Sequence, residues 1–521
     1  MARPLHEDPE ISRRRWVLLG VMCLSLVLVV MSVSGLNVTL PTLQRDLGAT
    51  ATELQWVVDA YAIVFAGLLL TAGALGDRFG RKGALMVGLV VFATASAVGA
   101  LADEPSQVIA VRAVMGIGAA LIMPATLSLI VAIFPPQERG RAIAVWAGFA
   151  GAGGALGPLV VGALLERYWW GSAFLVNVAV VAIVLTAVSL LAPRSKDEGA
   201  TPLDPVGAVL SVVGLAALLF GIIEGPEEGW SSGRVVAAFV VAVVVLGSFF
   251  AWERRNPHPM LPLAFFRDIR FSVGTGVITF AFFAMFGFFF LFTQYLQFVR
   301  GYSALNAGAA TLPLAVTLIL VSPRSAALAE RFGAGRVMAV GFALLLCGFG
   351  VLASVAPDSP YLELAAALVL LGAGMGITVA PATGGIMASV PLSRAGVGSA
   401  VNDTTRELGG ALGIAVLGSI VSSTYRSSVE VSRLPGPLQD VAGESVGAAA
   451  AVADRLGGAA GAALRADAGA AFTDAFNAAM GTAAVVAVLA GVVVYLVLGR
   501  RPMGTVGAPG AAPVSAPVAS A

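Results

Sequence analysis

The chain has 521 residues, of which 58% are hydrophobic and 12% are charged. Because a soluble domain usually carries about 25% charged residues, this composition excludes an ordinary soluble enzyme. The 31 basic and 30 acidic side chains leave a net charge of +1, so the chain has no global field that would attract nucleic acid.

Apolar runs long enough to cross a membrane recur along the chain. A hydrocarbon core of about 30 Å takes about 20 helical residues to cross. We therefore predict an all-α integral membrane protein with fourteen transmembrane helices. The predicted spans are residues 16–40, 54–75, 84–101, 108–134, 142–165, 174–192, 206–223, 235–252, 271–298, 307–327, 337–356, 362–390, 396–421 and 472–498.

The basic residues predict the orientation of these spans. Cytoplasmic loops carry an excess of lysine and arginine, and with fourteen spans most of the 31 basic residues fall on the side of the N-terminus. We therefore expect both termini to be cytoplasmic. The composition, rich in alanine, glycine and arginine, is typical of a bacterium with a GC-rich genome, and we expect the protein in its cytoplasmic (inner) membrane.

Histidine and cysteine are too scarce to build a metal site. The chain has only His6, His258, Cys23 and Cys347, widely separated, whereas a structural zinc site needs about four ligands. We expect no metal and no cofactor. Both cysteines lie in apolar runs, and we interpret them as small core residues.

Short sequences of the first half recur in the same order in the second half. Residues 78–80 and 331–333 both read Arg-Phe-Gly, and residues 153–157 recur as 409–413. This duplication predicts a 6 + 2 + 6 arrangement. The predicted units are an N-terminal six-helix bundle (1–192), a linker with two inserted helices (193–270), a C-terminal six-helix bundle (271–498) with a long outer loop (422–471), and a disordered cytoplasmic tail (499–521). Parallel halves of this kind bind substrate at their interface near the midplane and rock about it.

The stretch GALGDRFGRK between spans 2 and 3 resembles motif A of the major facilitator superfamily. The whole pattern resembles, within that superfamily, the fourteen-span drug:proton antiporter-2 family. Glycines permit a tight turn, and an acid beside three bases can form a latch that breaks when the halves rock. Alternatively, the bases only anchor the loop in the cytoplasm. The predicted gating residues are Gly73, Gly76, Asp77, Arg78, Gly80, Arg81 and Lys82.

Arg112 in span 4 lies in a sequence that resembles motif B of the same superfamily. The resemblance implies a buried arginine that takes part in proton transfer. Because Arg112 is near the start of its span, the alternative is that its side chain snorkels to the membrane interface.

Span 5 resembles motif C, the antiporter signature, through Gly153, Gly157, Pro158 and Gly162. The family's final Gly-Gly pair is Val161-Gly162 in this chain. The resemblance implies export rather than import. Glycines on one helix face also suit close helix packing alone, so the Gly-Pro pair is what favours the functional interpretation.

Two positions concern carboxylates in spans 1 and 2. Asp59 lies within span 2, where an intramembrane acid is a candidate for proton binding or cation recognition; the alternative is a residue at the membrane interface. In span 1, Ser32 stands where the family usually has an aspartate. That replacement leaves the proton stoichiometry and the preference for cationic substrates open.

Polar residues in spans 13 and 9 complete the candidate site. Asp403 and Arg406 stand three residues apart and can pair, which makes their burial tolerable, either as a structural clamp or as coupling groups. Gln294 and Tyr295 follow a dense set of phenylalanines that suits bulky amphiphilic substrates and equally suits a lipid-facing surface.

These features together predict a proton-coupled secondary active exporter of drugs, antibiotics or other amphiphilic small molecules. The expected partners are the small-molecule substrate, protons and the lipid bilayer, with no nucleic acid, and we expect a monomer. One alternative is an exporter dedicated to one native metabolite or self-made antibiotic. A distant alternative is a membrane-embedded enzyme, which would need clustered acids or histidines at the membrane surface; we expect no enzymatic activity.

Overall fold

The computed structural model describes residues 5–193, 195, 204–432 and 434–498. The predicted tail (499–521) lies outside the described residues, as does most of the segment 194–203. All regular structure in the described ranges is helical. The longer helices are α1 (Pro9–Leu47), α2 (Ala51–Phe79), α3 (Arg81–Gly99), α4 (Pro105–Ile133), α5 (Pro136–Leu165), α6 (Ser172–Leu191), α7 (Pro205–Glu228), α8 (Gly233–Arg255), α9 (Ile269–Gln294), α10 (Ala304–Ala310), α11 (Leu312–Phe332), α12 (Ala334–Leu352), α13 (Tyr361–Ala388), α14 (Ala395–Ser428), α15 (Gly436–Glu444), α16 (Val446–Leu456) and α17 (Gly458–Leu498).

The predicted all-α fold with fourteen spans is confirmed. Within the described residues, fourteen helical segments are long and apolar enough to cross a membrane, and each predicted span corresponds to one of them. The tenth span is formed by α10 and α11 together, which are separated at Thr311. The exact domain boundaries stay a prediction.

The two halves repeat the same helix contacts. In the N-terminal half α1 packs on α5, α2 on α4 and α3 on α6; in the C-terminal half α9 packs on α14, α11 on α13 and α12 on α17. The turns at Gly80 and Gly333 also correspond, and both have positive φ, +117° and +87°. Glycine reaches this region without the steric penalty of a Cβ atom, which explains why Arg-Phe-Gly occurs in both halves.

The halves meet along a seam that two helix pairs form, α2 with α14 and α5 with α11. Helix α7 of the inserted pair packs against both α2 and α14, beside the seam. We call the end of the bundle where α2 ends and α14 begins the basic end, because Arg81, Lys82 and Arg394 lie there.

The described residues of the predicted outer loop, 422–471, are mostly helical, because α14 extends to Ser428, α15 and α16 follow, and α17 begins at Gly458. The position of this segment outside the membrane stays a prediction. The Tyr425 hydroxyl donates to the carbonyl of Ala442 at 3.1 Å and ties this segment to α14. Cys23 is buried as expected, but Cys347 is exposed on α12, because the outside of a membrane bundle is as apolar as its core.

Candidate functional site

The seam is closed at the basic end by direct contact between α2 and α14. A Cβ atom at Gly73 would lie 2.5 Å from the carbonyl oxygen of Gly396, so a side chain there would force the helices apart. The second helix pair also touches, since the Ser322 hydroxyl of α11 donates to the carbonyl of Ala144 in α5 at 2.6 Å.

Asp77 joins the two halves at this contact. Its carboxylate, which is buried, accepts from the backbone N–H of Gly396 at 2.8 Å and of Val397 at 3.2 Å. These groups belong to the first turn of α14, where unpaired N–H groups and the helix dipole favour a negative charge. Asp77 also accepts from Arg81 Nε at 2.9 Å and Nη2 at 2.8 Å. One carboxylate thus binds α3 of its own half and α14 of the other.

The other predicted gating residues have different surroundings. Arg81 also donates to the carbonyl of Leu392 in the C-terminal half. Lys82 Nζ donates to the carbonyls of Ser189 and Ala192 at 2.8 Å each, at the end of α6 within its own half. The remaining three residues lie in or next to the turn between α2 and α3. A Cβ atom at Gly76 would make an ordinary contact with α3, and Gly80 forms the turn itself. The Arg78 guanidinium lies 5.6 Å from the ring of Phe79.

The latch has no counterpart at the repeat position. Glu330 corresponds to Asp77 in the sequence repeat, but its side chain is exposed. Helix α5 also begins beside α11, since a Cβ atom at Gly140 would lie 3.4 Å from the Cβ atom of Ala326. A helix start is therefore present at both positions, and the difference is that the Asp77 carboxylate is buried against α14 whereas the Glu330 side chain is exposed.

A charged cluster lies on α14 farther along the seam. Asp403, 1% exposed, is 3.6 Å from Nη1 of Arg406, so the predicted pair forms. The Arg406 guanidinium lies 4.6 Å from the ring of Phe282 in α9 and 5.7 Å from that of Trp146 in α5. Trp146 belongs to the opposite half, so this cation–π contact crosses the seam.

Glu407 and Tyr61 belong to the same region, and the sequence analysis missed both. Glu407 interacts electrostatically with Arg406 and with Tyr61 of α2. Tyr61 in turn lies under the Arg112 guanidinium, with Cζ 4.2 Å from the ring centroid. Tyr61 thus contacts the charge of α4 directly, and its helix, α2, packs against α14. The signal in the sequence was Glu407 itself, an acid within the predicted span 396–421.

Asp59 and Arg112 both lie inside the N-terminal half. Asp59 is 6% exposed and lies about 12 Å along α2 from its first residue, which argues against an interfacial position. Arg112 is 1% exposed and does not snorkel. Its Nε donates to the carbonyl of Val57 at 3.0 Å, two residues before Asp59, and its Nη1 lies 3.5 Å from the Ser32 hydroxyl.

The motif C residues bring α5 close to α1 on one side and to α10 on the other. A Cβ atom at Gly157 would lie 2.7 Å from the carbonyl of Met31, and one at Gly153 would lie 2.9 Å from Val30. Pro158 faces Gly308, and Gly162 faces Leu305. The packing alternative thus accounts for the glycines, and the same face of α5 meets the C-terminal half.

The two candidate substrate contacts of α9 are engaged within their own half. The Tyr295 ring is fully buried and stacks on Phe476 at 5.2 Å, while its hydroxyl donates to the carbonyl of Ala356 at 2.8 Å. Gln294 Nε2 donates to the carbonyl of Phe290 at 3.3 Å. In this structure the Tyr295 side chain therefore packs within the C-terminal half, and its contact with substrate stays a prediction.

Comparison with known proteins identifies the family. Residues 22–414 match the Major Facilitator Superfamily. The chain is 36% identical over 461 residues to the multidrug efflux pump LfrA of Mycolicibacterium smegmatis, covering 88% of this chain and 91% of that protein. It is 30% identical to the tetracenomycin C resistance and export protein of Streptomyces glaucescens, covering 81% and 80%.

A solved structure shows the same fold. The human organic anion transporter MFSD10 superposes with a TM-score of 0.60 at 16% identity, covering 92% of this chain and all of that one. The protein is a multi-pass membrane protein of a family that transports small molecules. The chain belongs to the Major Facilitator Superfamily.

Proposed function

We propose that the protein exports drugs, antibiotics or other amphiphilic small molecules across a bacterial inner membrane in exchange for protons. The observation that carries this proposal is the set of charged side chains inside the bundle: Asp403 and Arg406, which are buried on α14 at the seam, the half-buried Glu407 beside them, and Arg112, which is buried inside the N-terminal half. Charges at membrane depth are costly and are kept where they bind ions or substrate. The names of the relatives, an efflux pump and a resistance and export protein, support the direction of transport.

In this proposal the basic end faces the cytoplasm, and both termini are on that side. Lysine and arginine accumulate on the cytoplasmic side of membrane proteins, which supports the assignment. The Asp77 contact with α14 then closes the cytoplasmic side, and the structure corresponds to a state after substrate has left the cytoplasm. Breaking this contact reopens the seam to the cytoplasm, with α5 bending at Gly157-Pro158 as the halves rock.

Protons are coupled through the buried carboxylates in this proposal. Asp59 takes the proton in the N-terminal half, and Arg112 couples it to α4 through the carbonyl of Val57. In the C-terminal half a proton on Glu407 or Asp403 removes a negative charge beside Arg406. The loss of that charge changes how strongly the guanidinium attracts Trp146 across the seam. Each protonation therefore changes the attraction between the halves.

Inside-out membrane vesicles test the proposal. A respiration-generated proton gradient is monitored with a pH-sensitive dye while cationic, neutral and anionic compounds are added. Effective compounds should release protons in vesicles with wild-type protein and not in those with Asp59→Asn or Glu407→Gln. Asp46→Asn, at an exposed position, is the matched control and should behave as wild type. If inserted wild-type protein releases protons with no compound of the panel, broad drug:proton exchange is refuted.

A second candidate function is export of one native antibiotic. It is favoured by relatives that are named for a single compound, tetracenomycin C in one case and methylenomycin A in another. The same panel separates the two functions. Proton release with many unrelated compounds supports multidrug export, whereas proton release with only one chemical class of compound supports the dedicated exporter.

A further inference from the structure

Arg112 is a buried cation whose charge lacks a close carboxylate. It is 1% exposed, and the ion pairs closer than 4 Å in the described ranges do not include it. Its polar contacts are neutral: the carbonyl of Val57, the hydroxyl of Ser32 and the ring of Tyr61. A buried charge without a counter-charge is costly, and these neutral contacts do not supply one.

A small cavity lies against this guanidinium. Its lining includes Arg112 from α4, Ser32 and Thr39 from α1, and Asn177 from α6. Arg112 Nη2 is buried and has no hydrogen-bond partner among the described residues. The cavity admits about one particle of the size of water. An unsatisfied N–H of a cation thus borders a space that one small ligand can fill.

Three of the polar groups around the cavity can donate hydrogen bonds to it. Arg112 supplies N–H groups, Ser32 supplies a hydroxyl, and Asn177 supplies an amide whose oxygen and nitrogen can exchange places, whereas the Thr39 hydroxyl already donates to the carbonyl of Gly35 at 3.4 Å. Asn177 is 2% exposed and its Oδ1 also lacks a partner. A turned amide presents N–H to the cavity. Donors surrounding a positive charge suit an anion.

We propose that this cavity is a binding site for a small inorganic monovalent anion of the size of chloride, which acts as the counter-ion of Arg112. A water molecule can accept a hydrogen bond from Nη2 but cannot compensate the charge. Organic carboxylates and phosphate are too large for the cavity. The bound anion joins α1, α4 and α6, so it stabilises the N-terminal half, and the proposal does not depend on the transport function.

Purified protein in detergent tests the site directly. Its melting temperature is measured in sodium chloride and in sodium gluconate at the same ionic strength, about 0.2 M, and chloride should raise it by about 3 °C. Equilibrium dialysis with radioactive chloride should detect one bound ion per chain in wild type and none in Arg112→Gln. Equal melting temperatures and no retained chloride would show that the cavity holds only water and would overturn the proposal.

Substitutions at Ser32 distinguish the site from a general salt effect. Ser32→Asp puts a carboxylate beside Nη1, and it should abolish both chloride binding and the difference between the two salts. Ser106→Asp adds the same charge at an exposed position of α4. This variant should still bind chloride and should still melt at different temperatures in the two salts. If Ser32→Asp retains chloride binding, the site is wrong. Should that variant not fold, Asn177→Ala removes one donor and should weaken chloride binding roughly tenfold; unchanged affinity contradicts the proposal.

Discussion

Replacing Asp77 by asparagine should open the seam at the basic end. The carboxylate accepts from two backbone N–H groups of α14, those of Gly396 and Val397. A hydrogen bond to a charged group contributes roughly 1.5–3 kcal/mol and one between neutral groups roughly 0.5–1.5 kcal/mol. Losing the charge at two such bonds weakens the closed state by about 2 kcal/mol, which is roughly a thirtyfold change in the ratio of closed to open molecules.

Electron paramagnetic resonance can measure this change as a distance distribution. Spin labels at Phe79→Cys and Phe332→Cys, both exposed and at the basic end of opposite halves, report the separation across the seam. The native Cys23 and Cys347 are replaced by alanine. Wild-type protein should show one short distance, and Asp77→Asn should add a longer one.

The control for this experiment is the repeat position. Glu330→Gln removes an acid that is exposed and outside the latch, so it should leave the distribution unchanged. The reasoning is refuted if Asp77→Asn protein, folded as judged by its melting temperature, shows the same distribution as wild type.

Two further predictions concern packing. Gly157→Ala should destabilise the protein by about 1–3 kcal/mol, because its Cβ atom would lie 2.0 Å from Ser34 Oγ. Gly154→Ala is the control and should not destabilise the protein, since no atom lies within 4 Å of its Cβ. Melting temperatures measure both effects, and equal melting temperatures of the two variants would contradict the prediction. Tyr295→Phe should lower the free energy of unfolding by about 1 kcal/mol, because the hydrogen bond to the carbonyl of Ala356 is lost, and it should leave the range of transported compounds unchanged. A changed range in the compound panel would show that Tyr295 contacts substrate.

The spans and the repeat were predictable because they depend on local signals. Hydrophobic length determines a membrane helix, and Gly80 and Gly333 mark the same turn in both halves. Hydropathy indicated a connection at residues 422–471 but not the bounds of its helices, because small residues form helices without the hydropathy of a span. The ends of these helices therefore could not be predicted from hydropathy alone.

The partners of the charged residues were harder to predict. The sequence indicated Asp77 as a latch among three bases, but its partner across the seam is the backbone of α14, which carries no side-chain signal. Trp146, Tyr61 and Glu407 were missed because a membrane helix is apolar on most of its faces, so the pattern does not show which face meets the other half.

Proton-driven transport by purified protein in liposomes tests the central proposal most directly. The liposomes carry an imposed pH gradient, acidic inside, and a compound that releases protons in the vesicle assay is added outside. Wild-type molecules whose basic end faces outward should accumulate the compound inside the liposomes above its external concentration. This accumulation should be lost when the pH gradient is collapsed, and it should not occur with the Glu407→Gln variant. Accumulation of the same extent without a pH gradient would contradict proton exchange.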